Sequence, residues 1–248
     1  MSKQSLGDRM KLHENAFRHY LPIRMPVIIR IDGCHFHTYT KHCEKPIDSN
    51  FVNVMNETAK YLCKNIQGAK IAYIQSDEIS LLLNSYESLD SSSWFDNNLQ
   101  KMCSISASLA SAYFTQLSDT IFGSSKIATF DSRVFVLPKE EVNNYFLWRQ
   151  QDCTRNSVQM LARSMYSHSA CANKNNSELQ EMTFQGGVNW NDCPTFQKRG
   201  RCVIKTVSLK DAVNPKTGNV IVAERSEWTI DNEIPIFSQN KEYVEKHL

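Results

Sequence analysis

The 248-residue chain contains no apolar run long enough to cross a bilayer, which takes about 20 consecutive apolar residues. Its first fifteen residues are polar and charged. They hold neither the apolar stretch of a secretion signal nor an Arg-rich amphipathic transit pattern. Net charge is nearly absent at +2, which excludes a generally polycationic surface and leaves local basic patches open. None of the eight cysteines (Cys34, Cys43, Cys63, Cys103, Cys153, Cys171, Cys193, Cys202) stands in a Cys-x-x-Cys pair or beside histidines at zinc-ligand spacing. Reduced thiols in a cytoplasmic protein, with no membrane partner, are therefore expected. No internal repeat is present.

Composition is that of a globular protein, and the length accommodates one domain or two closely packed ones. Residues 5–20 predict an opening helix. The β-branched run Pro26 to Ile31 reads as a buried strand closed by Asp32-Gly33. Asp48-Ser49 suits an N-cap, and Phe51, Val52, Met55, Ala59, Leu62 and Cys63 recur at helical spacing toward Gly68. Lys70–Ile74 and Glu78–Leu83 predict two strands joined by a tight turn at Gln75-Ser76-Asp77. A helix over 95–118 and a strand over Val134–Leu137 complete the series. Strand, helix, strand, strand, helix, strand is the split βαββαβ arrangement, an α+β ferredoxin-like unit with both helices on one face. Beyond Pro138 the pattern changes to a helix over 140–163, a polar stretch over 167–180 and a β-leaning tail. The expected organisation is a catalytic domain over 5–137 and an appended C-terminal α/β extension over 138–248.

Asp32 closes an apolar strand with a glycine behind it, where a carboxylate faces a metal and Gly33 lets backbone oxygen approach. Alone this is also a common turn. Asp77, at the turn between the middle strands, changes the weighing, because the βαββαβ sheet brings the two carboxylates side by side. Adjacent carboxylates repel in a low-dielectric site and need protons or cations. Hard oxygen ligands suit Mg²⁺, and two ions about 3.5–4 Å apart clamp the attacking and leaving oxygens of a phosphoryl displacement. Lys45, next to Pro46, is a candidate phosphate contact, as is Lys101 if it points over the carboxylate edge. Trp148-Arg149 and Arg155-Asn156 place an aromatic, two arginines and an amide on one helix, a combination suited to RNA. Lys198-Arg199-Gly200-Arg201 is the densest basic cluster. Asp131 and Arg133 are read as an internal, architectural pair.

Together, Arg30-Ile31-Asp32-Gly33 with Phe36-His37, Lys45-Pro46, Gln75-Ser76-Asp77-Glu78, Phe130-Asp131-Ser132-Arg133, Trp148 to Asp152 and Lys198-Arg199-Gly200 resemble the tRNA-histidine guanylyltransferase superfamily. The resemblance runs from about residue 5 to 205. It implies a polymerase-like palm, two Mg²⁺ ions and nucleotide addition in the 3′-to-5′ direction. Metal ligands then map to the Asp32 carboxylate, the Gly33 carbonyl and the Asp77 carboxylate. Nucleotide contacts map to Asp32, Gly33, Cys34, His35, Phe36, His37, Ser76 and Asp77, with Lys45 and Lys101 on phosphate. ATP or GTP and tRNA are the implied substrates, and a homotetramer the implied assembly.

Two departures refine this. Thr154-Arg155-Asn156-Ser157 stands where eukaryotic members carry His-Ile-Asn-Asn, as in the guanylyltransferase-like branch that repairs 5′-truncated tRNA against a template. Cys34 and Asn97-Asn98 stand where the family often has arginines. The alternatives are a tRNA-histidine guanylyltransferase adding one guanosine, a cyclic-nucleotide-type palm cyclase, and a non-catalytic RNA-binding module. The last would need exposed aromatics on central strands, where Ile28, Ile29 and Ile31 look like core.

Overall fold

The computed structural model describes residues 4–123, 126–213 and 219–248. The first helix, α1 (Leu6–Ala16), is capped by Ser5 and buries no residue. β1 (Val27–Gly33) follows, then a single helical turn, α2 (Phe36–Tyr39). α3 (Ser49–Asn65) starts where the Asp48 carboxylate accepts from the backbone N–H groups of Asn50 and Phe51, satisfying donors a helix start leaves open. Its buried stripe is Val54, Met55, Thr58, Ala59, Leu62 and Cys63.

β2 (Ala69–Gln75) and β3 (Glu78–Leu83) form a hairpin. The helix expected from residue 95 starts later, as α4 (Leu99–Phe122), capped by the Asn98 side chain. The chain before it cannot be helical, because Phe95, Asp96 and Asn97 all have left-handed backbones. The strand expected at 134 is longer, β4 (Phe130–Val136).

α5 (Lys139–Met165) is the long helix expected after Pro138. The polar stretch over 167–180 contains two helices, α6 (His168–Cys171) and the start of α7 (Asn176–Gln185). α7 begins with a reciprocal cap, in which Asn175 accepts from the Glu178 N–H and the Glu178 carboxylate accepts from Asn175 N–H. α8 (Thr195–Arg199), β5 (Arg201–Val213), β6 (Val220–Asp231) and α9 (Glu242–Glu245) complete the chain.

The six strands form one antiparallel sheet in the order β4-β1-β3-β2-β5-β6. Ile29, Ile31, Ile74, Ile79 and Leu81 pack on one face with Val54, Met55 and Leu62 of α3 and Met102 and Phe114 of α4. Ile28, Ile71, Tyr73 and Leu82 pack on the other with Val142, Tyr145 and Phe146 of α5, and with Phe237 and Val244 near the carboxyl end. Covering on both faces explains why β1 and β3 read as continuous apolar runs instead of alternating ones. It also removes the exposed aromatic platform that an RNA-binding sheet would need. β5 pairs with β2 over Ile71–Ile74, so the chain beyond 138 extends the same sheet and supplies its second cover.

Candidate functional site

The end of β1, the β2–β3 turn and the starts of β4 and β5 meet at one end of the sheet. Asp32 lies opposite Glu78 on β3 and opposite Asp131 on β4, so it is a sheet residue and not the turn residue its Asp-Gly context suggested. Ser76, with a left-handed backbone (φ 46°), and Asp77 form the two-residue turn. The Gly33 N–H donates to the Asp77 carbonyl at 3.2 Å, joining the two acidic segments.

Gly33 is required by space. A Cβ there would lie 2.8 Å from Asp77 Oδ2 and 2.4 Å from the Phe36 ring. That ring is fixed in turn by Tyr39, Phe51, Phe114 and Phe130. Phe36 thus anchors the loop after β1 while presenting an edge to the site.

Burial raises the Asp77 carboxyl above its ordinary range. Hydrogen bonds from its own backbone and from Ser76 oppose this, and the nearby charges of Asp32 and Glu78 add to it. A desolvated carboxylate beside a second one gains most from a cation. Asp32 is held by Arg30 at 3.0 Å, and the same guanidinium nitrogen lies 3.0 Å from Glu78. Glu78 also accepts from Arg149 Nε at 2.8 Å, and Arg149 reaches Asp152 at 2.7 Å. Glu78 was part of a motif by sequence, but its role as the hub between two arginines was not legible there.

A cavity of about 670 Å³ opens beside this end of the sheet, within the range of small-molecule sites (roughly 300–1,000 Å³). Gly33, His35, Phe36, His37, Lys45, Ser76 and Asp77 all line it. Asp32, Cys34 and Lys101 do not. Asp32 points to the α5 side of the sheet, as its pairing with Glu78 requires. The Cys34 N–H is tied to the Thr129 carbonyl at 2.8 Å. Lys101 is displaced by the direction of α4: Ser111 contacts Phe130, Ser106 contacts Ser132 and Cys103 contacts Val134. The start of α4 therefore lies toward Val136 and Val27, away from Gly33. The Lys101 ammonium rests 5.8 Å from the Phe95 ring. The expected placement of Lys101 over the carboxylate edge is corrected accordingly.

The RNA candidates separate. Trp148, Arg155 and Arg199 line a second cavity of about 640 Å³ with Trp190 and Thr154. Asn156 and Ser157, the next two residues of α5, face the first cavity. Arg149 is buried in its ion pairs and stacked 4.3 Å from the Trp148 ring, so it is not an RNA contact but a support. Lys198 donates to the Asn191 carbonyl at 2.5 Å and lies 5.7 Å from the Trp190 ring. Arg133 pairs with Asp131 at 3.4 Å as read from sequence, but the pair is exposed at the surface and not internal. Sequence reasoning missed Phe51, Val52, Met160, Gln197 and Arg201 as cavity walls.

Paired acidic segments and a close-approach glycine at the end of an antiparallel sheet, beside a nucleotide-sized cavity, are the arrangement of a nucleotidyltransferase. The model of the Thg1 family, tRNAHis guanylyltransferase, matches residues 7–138. The chain belongs to that family. A bacterial tRNA(His) guanylyltransferase (Thg1)-like protein solved in complex with ATP is 47% identical and superimposes with a TM-score of 0.87, over 98% of this chain and 99% of that one. The corresponding complex with GTP is 46% identical over the same shares, with a TM-score of 0.80. The tRNA(His) guanylyltransferase of Debaryomyces hansenii is 30% identical over 72% of this chain and 73% of its own length.

Proposed function

We propose that this enzyme adds nucleotides to the 5′ end of tRNA in the 3′-to-5′ direction, choosing each by pairing with a template base, and so repairs truncated tRNA. The observation that carries the reading is the position of the Thr154-Arg155-Asn156-Ser157 segment. Asn156 and Ser157 face the nucleotide cavity and Thr154 and Arg155 face the second one, so this segment stands between the two. A sequence differing there from His-Ile-Asn-Asn changes how the RNA end is received. The identities of 47% and 46% to bacterial Thg1-like proteins support the same branch.

In this reading residues 5–137 are a ferredoxin-like polymerase palm and 138–248 its C-terminal extension, joined through the common sheet. Asp32, the Gly33 carbonyl and Asp77 would hold Mg²⁺. Among the described residues no three His, Cys, Asp or Glu side chains gather as a metal cage. That fits Mg²⁺, which takes one or two carboxylates and completes its shell with water and substrate phosphate. When bound, two such ions neutralise phosphate charge and align an in-line displacement.

The protein's own part is positioning. Ser76, His35, His37 and Lys45 surround the triphosphate, and the apolar wall of Phe51, Val52 and Met160 takes the base. The chemistry begins when the RNA 5′-monophosphate attacks the α-phosphorus of ATP and expels pyrophosphate, giving an adenylylated 5′ end; the 3′-hydroxyl of the incoming nucleotide then gives up its proton, attacks the 5′-phosphate and displaces AMP. No protein nucleophile is needed. Trp148, Arg155 and Arg199 receive the acceptor stem, which favours a polynucleotide over the small substrates of a cyclase. A homotetramer and a cytoplasmic setting complete the proposal. The exposed Leu6 and Met10 of α1, with Phe17 just after it, and the eight free cysteines support them. Among the described residues no helix is long and apolar enough to cross a membrane.

The test uses 5′-monophosphorylated tRNAs lacking the first nucleotide, with C, G, A or U as the unpaired template base, Mg²⁺ and all four triphosphates. Asp32→Ala and Asp77→Ala serve as inactive controls. Addition of the complement in each case is expected. Efficient guanosine addition opposite A would replace this reading with single-guanosine transfer.

A further inference from the structure

Among the described residues two arginines are buried, and they differ in what faces them. Arg149 is 4% exposed and has carboxylates at 2.8 and 2.7 Å. Arg201 is 3% exposed and, among the described residues, forms no ion pair. Its Nε donates to the Asn56 side-chain oxygen and its Nη2 to the Val52 carbonyl at 3.3 Å, both neutral, while Nη1 has no acceptor among the described residues. The ionisable groups that bear on its charge are the Cys153 thiol and the Tyr73 phenol. Burial pushes both upward, Cys153 to about 11, so both are uncharged at neutral pH. Burial likewise brings Arg201 down to about 10, which leaves it protonated.

An uncompensated ion taken out of water costs several kcal/mol. Arg201 is not sealed in the core, however: it lines the nucleotide cavity, with Arg163, Gln197 and Asn156 on the neighbouring walls. It is the first residue of β5 and lies opposite Ile74, three residues before Asp77 on β2. A positive charge desolvated in advance at the wall of a substrate cavity is preorganised for an anion, because no water has to be cleared when the anion arrives.

We propose that Arg201 forms the floor of a second phosphate subsite in this cavity, apart from the Asp32–Asp77 end, which takes a phosphate of the bound triphosphate or of the RNA 5′ end. The phosphate carrier, but not the subsite, rests on the function proposed above. Arg163 at the cavity wall supplies a second cation, and Gln197 and Asn156 supply neutral donors.

Two substitutions separate this from a structural role. Arg201→Met keeps volume and removes the charge. Asn56→Asp is isosteric and places a carboxylate on Arg201 itself, which strengthens any structural role while cancelling the free charge. Binding is measured without metal, in EDTA, so that neither catalysis nor Mg²⁺ enters. The probes are tripolyphosphate, ATP, and an acceptor-stem RNA hairpin bearing either a 5′-phosphate or a 5′-hydroxyl. In both variants, affinity for at least one phosphate carrier is expected to fall tenfold or more, and Asn56→Asp is expected to melt no lower than the wild type. Loss confined to tripolyphosphate and ATP assigns the triphosphate. Loss of the preference for 5′-phosphate over 5′-hydroxyl RNA assigns the RNA end. Wild-type affinity for every probe in Asn56→Asp overturns the proposal, whether or not Arg201→Met folds, and so does a wild type that binds none of them. Failure of the repair reading would show instead in the templated extension assay, with these affinities untouched.

Discussion

Replacing Glu78 by Gln tests whether the buried charge cluster behind the proposed active site governs both stability and the proposed metal use. Glu78 is 5% exposed and receives Arg149 at 2.8 Å and Arg30 at 3.0 Å. Removing one partner of a buried ion pair costs about 3–5 kcal/mol. Here each arginine keeps a second carboxylate, Asp152 for Arg149 and Asp32 for Arg30. The loss should therefore be smaller, about 2–3 kcal/mol, or about 4–12 °C in Tm at the 2–4 °C per kcal/mol usual for this chain length. The second effect is chemical. Arg30 is already short of partners, with Nε buried and unbonded, and without Glu78 its charge falls on Asp32 alone. Asp32 would then be a poorer cation ligand, and the Mg²⁺ concentration for half-maximal nucleotide addition should rise several-fold. Thermal unfolding and a Mg²⁺ titration of activity read the two effects separately. A variant as stable as the wild type to within about 0.5 kcal/mol, with the same Mg²⁺ dependence, would refute the account of Glu78 as a shared anchor.

Gly33→Ala should reduce nucleotide addition by more than 100-fold and cost about 1–3 kcal/mol, because the new methyl meets Asp77 Oδ2 and a Phe36 ring locked among four aromatic neighbours. Activity assays beside denaturant unfolding check both effects. Lys45→Ala should raise KM for the triphosphate about tenfold, as expected for one charge-assisted phosphate contact, while Lys101→Ala should leave it nearly unchanged, since only Lys45 lines the cavity. Steady-state kinetics with varied triphosphate decide this. Burial first, then the charges of Lys246 and Lys70, holds His247 down at about 4, below its ordinary 6.5. Its stabilising contribution is complete above pH 6.5 and is lost as pH falls from there toward 4. Acidification from pH 7 to 5 should cost about 1 kcal/mol after allowance for partial exposure, and His247→Gln should flatten that part of a Tm-against-pH curve.

What could be read in the sequence was what depends on near neighbours. β1, α3 and the β2–β3 hairpin were legible because their apolar spacing and turn residues are local. The start of α4 was not, because three left-handed residues before it leave no mark in hydrophobic periodicity. α7 was overlooked for its polarity, although Asn175 and Glu178 stand at capping-box spacing. Adjacency in the sequence groups Trp148 and Arg149 together as RNA contacts. Successive helical residues point about 100° apart, and the helix sends one to the second cavity and the other into the core. Arg149 finds Glu78 at a separation of 71 residues and Arg201 finds Asn56 at 145. Charge compensation over such distances belongs to the fold, so whether an arginine is a support or an unpaired cation could not be read from its neighbours in the chain.

The position of the acidic end follows from strand parity. Alternate residues of β1 face opposite sides of the sheet. Asp32 therefore faces α5 with Arg30, while Gly33 faces the cavity with Phe36 and Asp77. Only where the sheet ends can residues of both faces approach the same point, and there the β2–β3 turn carries Asp77 back against Gly33. A one-residue slip of β1 would exchange Ile31 with Asp32 and bury a carboxylate among Met55, Leu62 and Phe114. The core thus enforces the register, and the register brings the two carboxylates together. The same pairing of β1 with β3 thus fixes both the core and the place where Gly33 meets Asp77, and a side chain at Gly33 would collide with that carboxylate and with the Phe36 ring.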